Sequence, residues 1–546
     1  MIRTSILILF ITGFLTAGEN DIPDLSAITR KNLEAQVKFL SHDLFEGRGT
    51  GTRGYDLAAL YVATQFEQIG LRPGAGKSYL QPVPLRKTNI VPGECLFTIT
   101  GGNGAAQPDK NELTYAVDYL MSGDYARENS FVTAEVVFAG FGITAPELQY
   151  DDYAGIDAKG KIVVLISSAP DSFRASERAH NASSSTKQKN AVAHGAAGII
   201  TFQNPEDAKR SPWERSVRQN KLSGYRWLES QNQPHDVPLQ IQANAYLSHS
   251  GAEKLFSHSP MTLKEVHAMW TRKKLRSFPL DLQITLKQSS KLERATSPNV
   301  VGIFEGSDPK LKNEYVLYTA HLDHLGISDP VRNDTINNGA YDNATGIACL
   351  IEMARAYSKL KAKPRRSVVF LAVTAEEKGL QGADYFAHNP TIPIKSIVAN
   401  VNTDMFLMLF PFTDAVALGA EHSSLGAVAD RAFQIAGLKR SADPAPEEVR
   451  FVRSDQYAFI KKGIPAIKLT AGFESSNSSV NGAEVTRQWL RTIYHSPQDE
   501  NSQKMHWESG IKIVQITFLI GYEAANDPVR PSWNPGDFFG RTFGGK

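Results

Sequence analysis

Residues 315–325 read YVLYTAHLDHL. Tyr, Val, Leu, Tyr and Thr in succession make a run that is apolar on both faces, as in a strand buried inside a sheet. The run then switches to His321, Asp323 and His324. Polar side chains just past the end of such a strand stand where open α/β sheets place their sites. The pattern recurs downstream. The strand Arg366–Val373 runs into Ala375-Glu376-Glu377-Lys378-Gly379, and the strand Ser396–Asn402 runs into Thr403-Asp404-Met405. Helical spacing fills the intervals at Gly346–Leu360, Gly379–Ala387 and Ser423–Ala436. Asn299–Phe304 and Ala466–Leu469 add strands, and Ser509–Glu523 reads as a last helix. Strands alternating with helices predict an α/β fold with a mixed, mostly parallel sheet flanked by helices.

Outward from this core the patterning changes. Leu33–Phe45 and Gly54–Ile69 carry apolar residues at helical spacing, with Gly70 as a stop. Tyr79–Leu85 reads as an edge strand, because its prolines cannot donate to a ladder on both sides. A β-rich stretch follows, with strands at Leu96–Thr100, Ala134–Phe138, Lys161–Ile166 and Ala196–Phe202 and a helix over Ser185–His194. Lys209–Asp236 is polar and reads as a surface excursion, and more strand-like sequence runs from Val237 to Leu286. These readings predict an N-terminal segment over 25–90, a β-rich insertion over 91–292, the site-bearing domain over 293–525 and an irregular tail over 526–546.

The 546 residues exceed what one compact core holds. A formal charge of +2 gives no field that would draw nucleic acid. Arg3, the apolar run Ile6–Leu15 and the small residues Thr16, Ala17 and Gly18 have the order of a secretory signal peptide, here 1–18. The run is too short to span a bilayer, which takes about 20 residues. The expectation is an exported chain, periplasmic or extracellular, with no membrane attachment after cleavage. No spacing rule pairs the two cysteines, Cys95 and Cys349.

The chemistry concentrates in five clusters: His321-Leu322-Asp323-His324, Asp342-Asn343 before a helix, Glu376-Glu377, Asp404, and Tyr494-His495-Ser496-Pro497. Two imidazoles and three carboxylates, His321, Asp342, Glu377, Asp404 and His495, form a ligand set suited to zinc. A catalytic zinc takes three protein ligands and a water, so five ligands with one bridging carboxylate predict two ions about 3.5–4 Å apart. Of the Glu376-Glu377 pair, one carboxylate can bind metal while the other stays free to take a proton. Asp323, two residues from His321, is placed to accept its other ring N–H.

Taken together, AHLDHLG, NNGAYDNATG, VTAEEKGLQGA, VNTDM and YHSPQDE resemble, in order, the motifs of the co-catalytic di-zinc exopeptidases, the family of bacterial leucyl aminopeptidases and glutamate carboxypeptidase II. The N-terminal LSHDLFEGRGTGTRGYDLAALYVATQFEQIGLRP is similar to that family's opening helices. The resemblance implies two Zn²⁺ ions, with His321 and Asp404 completing one site, Glu377 and His495 the other, and Asp342 bridging. It implies Glu376 as general base, Asp323 as the partner of His321, a peptide substrate, and an Asp342-Asn343 peptide that is often cis. DDYAGIDAKGKIVVLI and KQKNAVAHGAAGIITF resemble an inserted protease-associated (PA) domain. Where the family has Ser-Asp-His, this chain has Ser454-Asp455-Gln456. The implied activity is aminopeptidase. A zinc carboxypeptidase, a glutaminyl cyclase-like acyltransferase and an inactive receptor-like binding protein are the alternatives, and oligomeric state is not legible.

Overall fold

The computed structural model describes residues 22–101 and 110–545. The signal-peptide reading over 1–18 lies outside the described residues.

Four parallel strands form the middle of the site-bearing sheet, in the spatial order Ser367–Val373, Tyr315–His321, Ile397–Thr403 and Ala466–Ala471. Antiparallel neighbours close both flanks, Phe278–Phe304 beside the first and Asp414–Leu418 beside the last. This is the predicted mixed, mostly parallel sheet. The strands Ser367–Val373 and Ile397–Thr403 are buried at every residue, as sequences apolar on both faces require.

The helix Thr345–Ser358 is buried along almost its whole length. A helix apolar all round must be covered on all sides, and it lies between the sheet and the helices Arg30–Leu40, Arg53–Ile69 and Trp507–Asn526. Ile347, Leu350 and Ile351 are fully buried there. Each such side chain contributes roughly 1.5–3 kcal/mol by leaving water.

The insertion has its own sheet and its own core. Asn129–Phe138, Ile162–Ile166, Gly198–Phe202 and Ala243–Leu247 run parallel in that order. Its interior packs around Phe97, Phe138, Phe202 and Phe256. The two sheets are joined by one 27-residue strand, Phe278–Phe304, which pairs with Asn129–Phe138 in the insertion and with Ser367–Val373 in the other sheet. The expected boundary at 292/293 falls inside this continuous strand.

Several expectations change. Leu80–Ile90 pairs along its length with Phe278–Phe304, and over Leu85–Thr88 it is also paired on its other side by Gly224–Trp227, so it is not simply an edge. Pro82 and Pro84 precede the doubly paired stretch, which is how two prolines are accommodated. Lys209–Asp236 is not a loose excursion. It contains the helix Trp213–Asn220 and the strand Gly224–Trp227. Within Val237–Leu286, two helices, His249–Ser257 and Leu263–Thr271, interrupt the expected strands, each capped by a serine or threonine side chain. The tail ends in a helix, Phe538–Phe543, started by the Asp537 side chain and held by burial of Phe538, Phe539 and Phe543 against Phe451 and Ile460. These helices are six to nine residues long, too short for a 3.6-residue period to stand out over two turns.

Candidate metal centre

His321 is the last residue of the strand Tyr315–His321, and Asp404 follows the strand Ile397–Thr403 directly. Glu376 and Glu377 follow Ser367–Val373 after one tight turn. Asp342 sits in the turn that opens the helix Thr345–Ser358, and His495 in the loop after the helix Gly482–Thr492. Three backbone positions in these turns hold left-handed angles: Ala375 at φ 53°, Met405 at φ 51° and His495 itself at φ 56°. Non-glycine residues held there carry strain, and such strain clusters at functional sites.

All five predicted ligands meet. His321 Nε2 lies 3.2 Å from Asp342 Oδ1 and 3.4 Å from Asp404 Oδ1. His495 Nε2 lies 3.2 Å from Asp342 Oδ2 and 3.1 Å from Glu377 Oε2. Two triplets therefore share the two oxygens of one carboxylate. Ligands about 2.0–2.1 Å from a tetrahedral zinc stand about 3.3 Å from each other, and these edges match. The Asp342-Asn343 peptide is cis, in line with the family expectation.

Surrounding groups brace the ligand turns. Asp499 accepts the backbone N–H of Tyr341 and of Asp342, both at 2.9 Å. The Asn343 side chain ties the Asp342 turn to the Asp404 turn, donating to Thr403 O at 3.1 Å and accepting from Met405 N–H at 3.1 Å. Arg48 is fully buried beneath, donating to the carbonyls of Leu40, Leu322, Asn338 and Gly339. Burial lowers its guanidinium to about 10, opposed by the nearby Asp499 and Asp342 charges.

Asp323 does not do what its spacing suggested. Its carboxylate is 4.0 Å from His321 Nδ1, too far to hydrogen-bond, and the ring instead faces the Asp323 backbone carbonyl at 3.1 Å. The carboxylate accepts the N–H of Glu376 at 3.0 Å and of Glu377 at 3.3 Å, with the Thr50 hydroxyl at 3.1 Å. It holds the Glu376-Glu377 turn.

The electrostatics are those of a site built for cations. Burial pushes Glu376 well above the usual carboxylate range; His321 opposes this, while Asp455 and Asp404 add to it. Burial would raise Glu377 as well, but His495 and His324 bring it down to about 2. Burial would lower His495, yet Glu377 and Asp342 hold it up at about 9. Asp455 is fully buried, neither of its oxygens has a hydrogen-bond partner, and burial raises it to about 7. His324 Nε2 is likewise buried without a partner. Orphaned buried acceptors beside crowded carboxylates fit a bound divalent ion.

Three neighbours were given no role by the sequence reading. His324 Nδ1 lies 2.7 Å from Glu377 Oε1 and 3.8 Å from Asp342 Oδ2, so it reaches the same carboxylates as His495. Asp455 stands in the divergent Ser454-Asp455-Gln456 triplet, and Lys468 Nζ pairs with Asp404 Oδ2 at 2.6 Å. Only the doubled histidine of HLDH was a usable signal. The adjoining Gln456 takes a structural part, accepting from Asn402 at 2.7 Å and donating to Phe451 O at 2.7 Å.

A separate cluster, His235, Asp384 and His388, also brings possible ligand atoms together. There the Asp384 carboxylate is already matched by the Lys461 ammonium and the Trp227 indole N–H, each at 2.9 Å. It reads as a polar staple between the insertion and the helix Gln381–His388.

Residues 299–519 match the model of Peptidase family M28, and residues 132–240 match the PA domain. Aminopeptidase NAALADL1 of Mus musculus is 33% identical over 135 residues, 24% of this chain and 16% of that protein. Aminopeptidase YwaD of Bacillus subtilis is 28% identical over 308 residues, 55% of this chain and 50% of its own length. The matched stretches thus span half or less of these relatives. An aminopeptidase structure from Aneurinibacillus sp. strain AM-1 superposes with a TM-score of 0.53 at 20% identity, over 94% of this chain and 98% of that one, which shows a shared fold. The chain therefore carries a Peptidase family M28 domain over residues 299–519 together with a PA domain over 132–240.

Proposed function

We propose that this chain is an exported zinc-dependent exopeptidase, an aminopeptidase that removes N-terminal residues from peptides. The observation that carries the reading is the meeting of two ligand triplets on the single carboxylate of Asp342, with Glu376 alongside. His321 and Asp404 would hold one zinc, Glu377 and His495 the other, and Asp342 both. The ions would supply acidification of a water and polarisation of the scissile carbonyl. Glu376 takes the water's proton and passes it to the leaving amine, a role suited to a carboxylate whose affinity for protons is raised by burial. Asp323 holds Glu376 in place through its backbone N–H. Relatives named as aminopeptidases support the choice of the N-terminal end.

The test is hydrolysis of aminoacyl-anilides and of peptides blocked at either terminus, with and without a chelator. The expected result is chelator-sensitive release from free N-termini alone. Cleavage that survives chelation, or that proceeds only from C-termini, refutes the assignment. Export predicts that the secreted protein starts near residue 19; a chain retained in the cytoplasm with its first residues intact overturns that part.

A further inference from the structure

The helix Trp213–Asn220 belongs to the insertion, and the Trp213 indole N–H anchors it there by donating to Ala116 O at 2.9 Å. Its opposite end reaches the metal centre. The Gln219 side-chain amide lies 2.8 Å from His495 Nδ1. One turn earlier, on the same helix face, Arg215 donates to the carbonyls of Leu490 at 3.1 Å and Arg491 at 2.6 Å. The Arg215 guanidinium also stands 5.9 Å over the Tyr494 ring, which stacks on the His495 imidazole at 3.7 Å. Just past the helix, Lys221 pairs with Asp329 of the hairpin beside the site. Gln219 and Arg215 thus reach the loop that carries one imidazole and the end of the helix before it, Lys221 reaches the neighbouring hairpin, and that imidazole sits on a left-handed backbone needing outside support.

We propose that the insertion completes the metal centre, with Gln219 as a positioning residue that sets the tautomer and ring angle of His495. The proposal rests on the metallopeptidase reading above. His495 turns Nε2 toward Asp342 and Glu377. A neutral imidazole that gives the Nε2 lone pair to a cation carries its proton on Nδ1, and that N–H needs an acceptor. The Gln219 amide oxygen is that acceptor once the amide turns over, since its oxygen and nitrogen exchange places by a half-rotation. With the amide nitrogen facing Nδ1 instead, the ring proton is displaced to Nε2 and the site cannot hold its ion. The Gln219 amide and the ion at Glu377 and His495 are therefore coupled. Among the described residues, His321 and Asp404 have no such link to the insertion.

The test uses the full-length protein and its Gln219→Ala and Gln219→Glu variants. Zinc per chain is measured after dialysis against graded chelator, and the thermal midpoint of the fully chelated form is measured beside it. The expected result is two zincs in the wild type. In Gln219→Ala one of them is lost about 10–100-fold more readily while the other is unchanged. Gln219→Glu, which keeps an acceptor, restores retention, and the chelated forms melt together. Wild-type retention of both ions in Gln219→Ala overturns the proposal and leaves the peptidase reading standing. Equal weakening of both ions, or a lower midpoint in the chelated variant, reduces Gln219 to a packing residue and also overturns it. A wild type that never holds two zincs removes the metallopeptidase reading itself.

Discussion

Asp152 in the insertion and Asp455 in the site-bearing domain are both buried aspartates, and they are treated in opposite ways. Asp152 accepts the N–H of Phe141 at 3.0 Å and of Ile143 at 3.1 Å and the Tyr150 hydroxyl at 2.7 Å. Asp118, also in the insertion, is met by Thr114 N–H, the Ser250 hydroxyl and the Lys254 ammonium. Asp455 has no hydrogen-bond partner at either oxygen. Burial raises Asp152 to about 6, with its donors pulling it down, and raises Asp455 to about 7, with Asp404 pushing it further. Leaving a buried acceptor unmatched costs about 1–3 kcal/mol. The insertion avoids that cost because its acids serve the fold. The site-bearing domain sustains it at Asp455, which stands near the Asp404 and His321 side chains. The contrast is between a buried acid met by donors and one left without them beside a cluster of carboxylates.

The largest effect should come from Asp342→Ala, which removes the carboxylate shared by both triplets. Both metal ions and all hydrolysis above background should go, with the circular dichroism of the fold kept. Two zincs bound to that variant would disprove the sharing. Glu376→Gln should keep its metal and lose about 10²–10⁴-fold in turnover; loss of metal and turnover together would mean that the two glutamates have been assigned in the wrong order.

Arg48→Met leaves the carbonyls of Leu40, Leu322, Asn338 and Gly339 without their donor. It should cost about 3–5 kcal/mol in urea unfolding. A loss under about 1 kcal/mol would mean that water replaces the guanidinium. Asp384→Asn is smaller. Burial would raise Asp384, but the Lys461 ammonium and the Trp227 N–H bring it down to about 2, below the roughly 3.9 of an unfolded aspartate. A carboxylate lowered in the folded state stabilises above its unfolded value, and that stability is lost as pH falls toward the folded one. The variant should therefore be about 2 kcal/mol less stable at neutral pH. The gap should close between about pH 4 and pH 2. A pH-independent gap would assign the loss to packing.

Much of this was legible in the residues alone. YVLYTAHLDHL, the Arg366–Val373 run and the Ser396–Asn402 run announce parallel strands with ligand-type side chains at one edge. Strand character and strand ends are local properties, written in a few consecutive residues. The five predicted ligands fall at those ends and in two turns, and all five converge. Short elements with little buried surface or with distant packing partners were not legible. The helix Trp213–Asn220 has no residue buried in the class that drives helical patterning, and the helix Phe538–Phe543 depends on a distant aromatic cluster.

What the sequence determined by itself is the α/β layering and the inventory of imidazoles and carboxylates at the strand ends, because both follow from apolar spacing along a short stretch of chain. Which oxygen of Asp342 meets which histidine was decided only by tertiary structure. The same holds for the turn of Asp323 from His321 to the backbone of Glu376, the arrival of His324 and Asp455, and the reach of Gln219 to His495. Each of these depends on the angle at which loops far apart in the chain arrive, and that angle is set by packing of the helices and the sheet beneath them rather than by any residue's own preference.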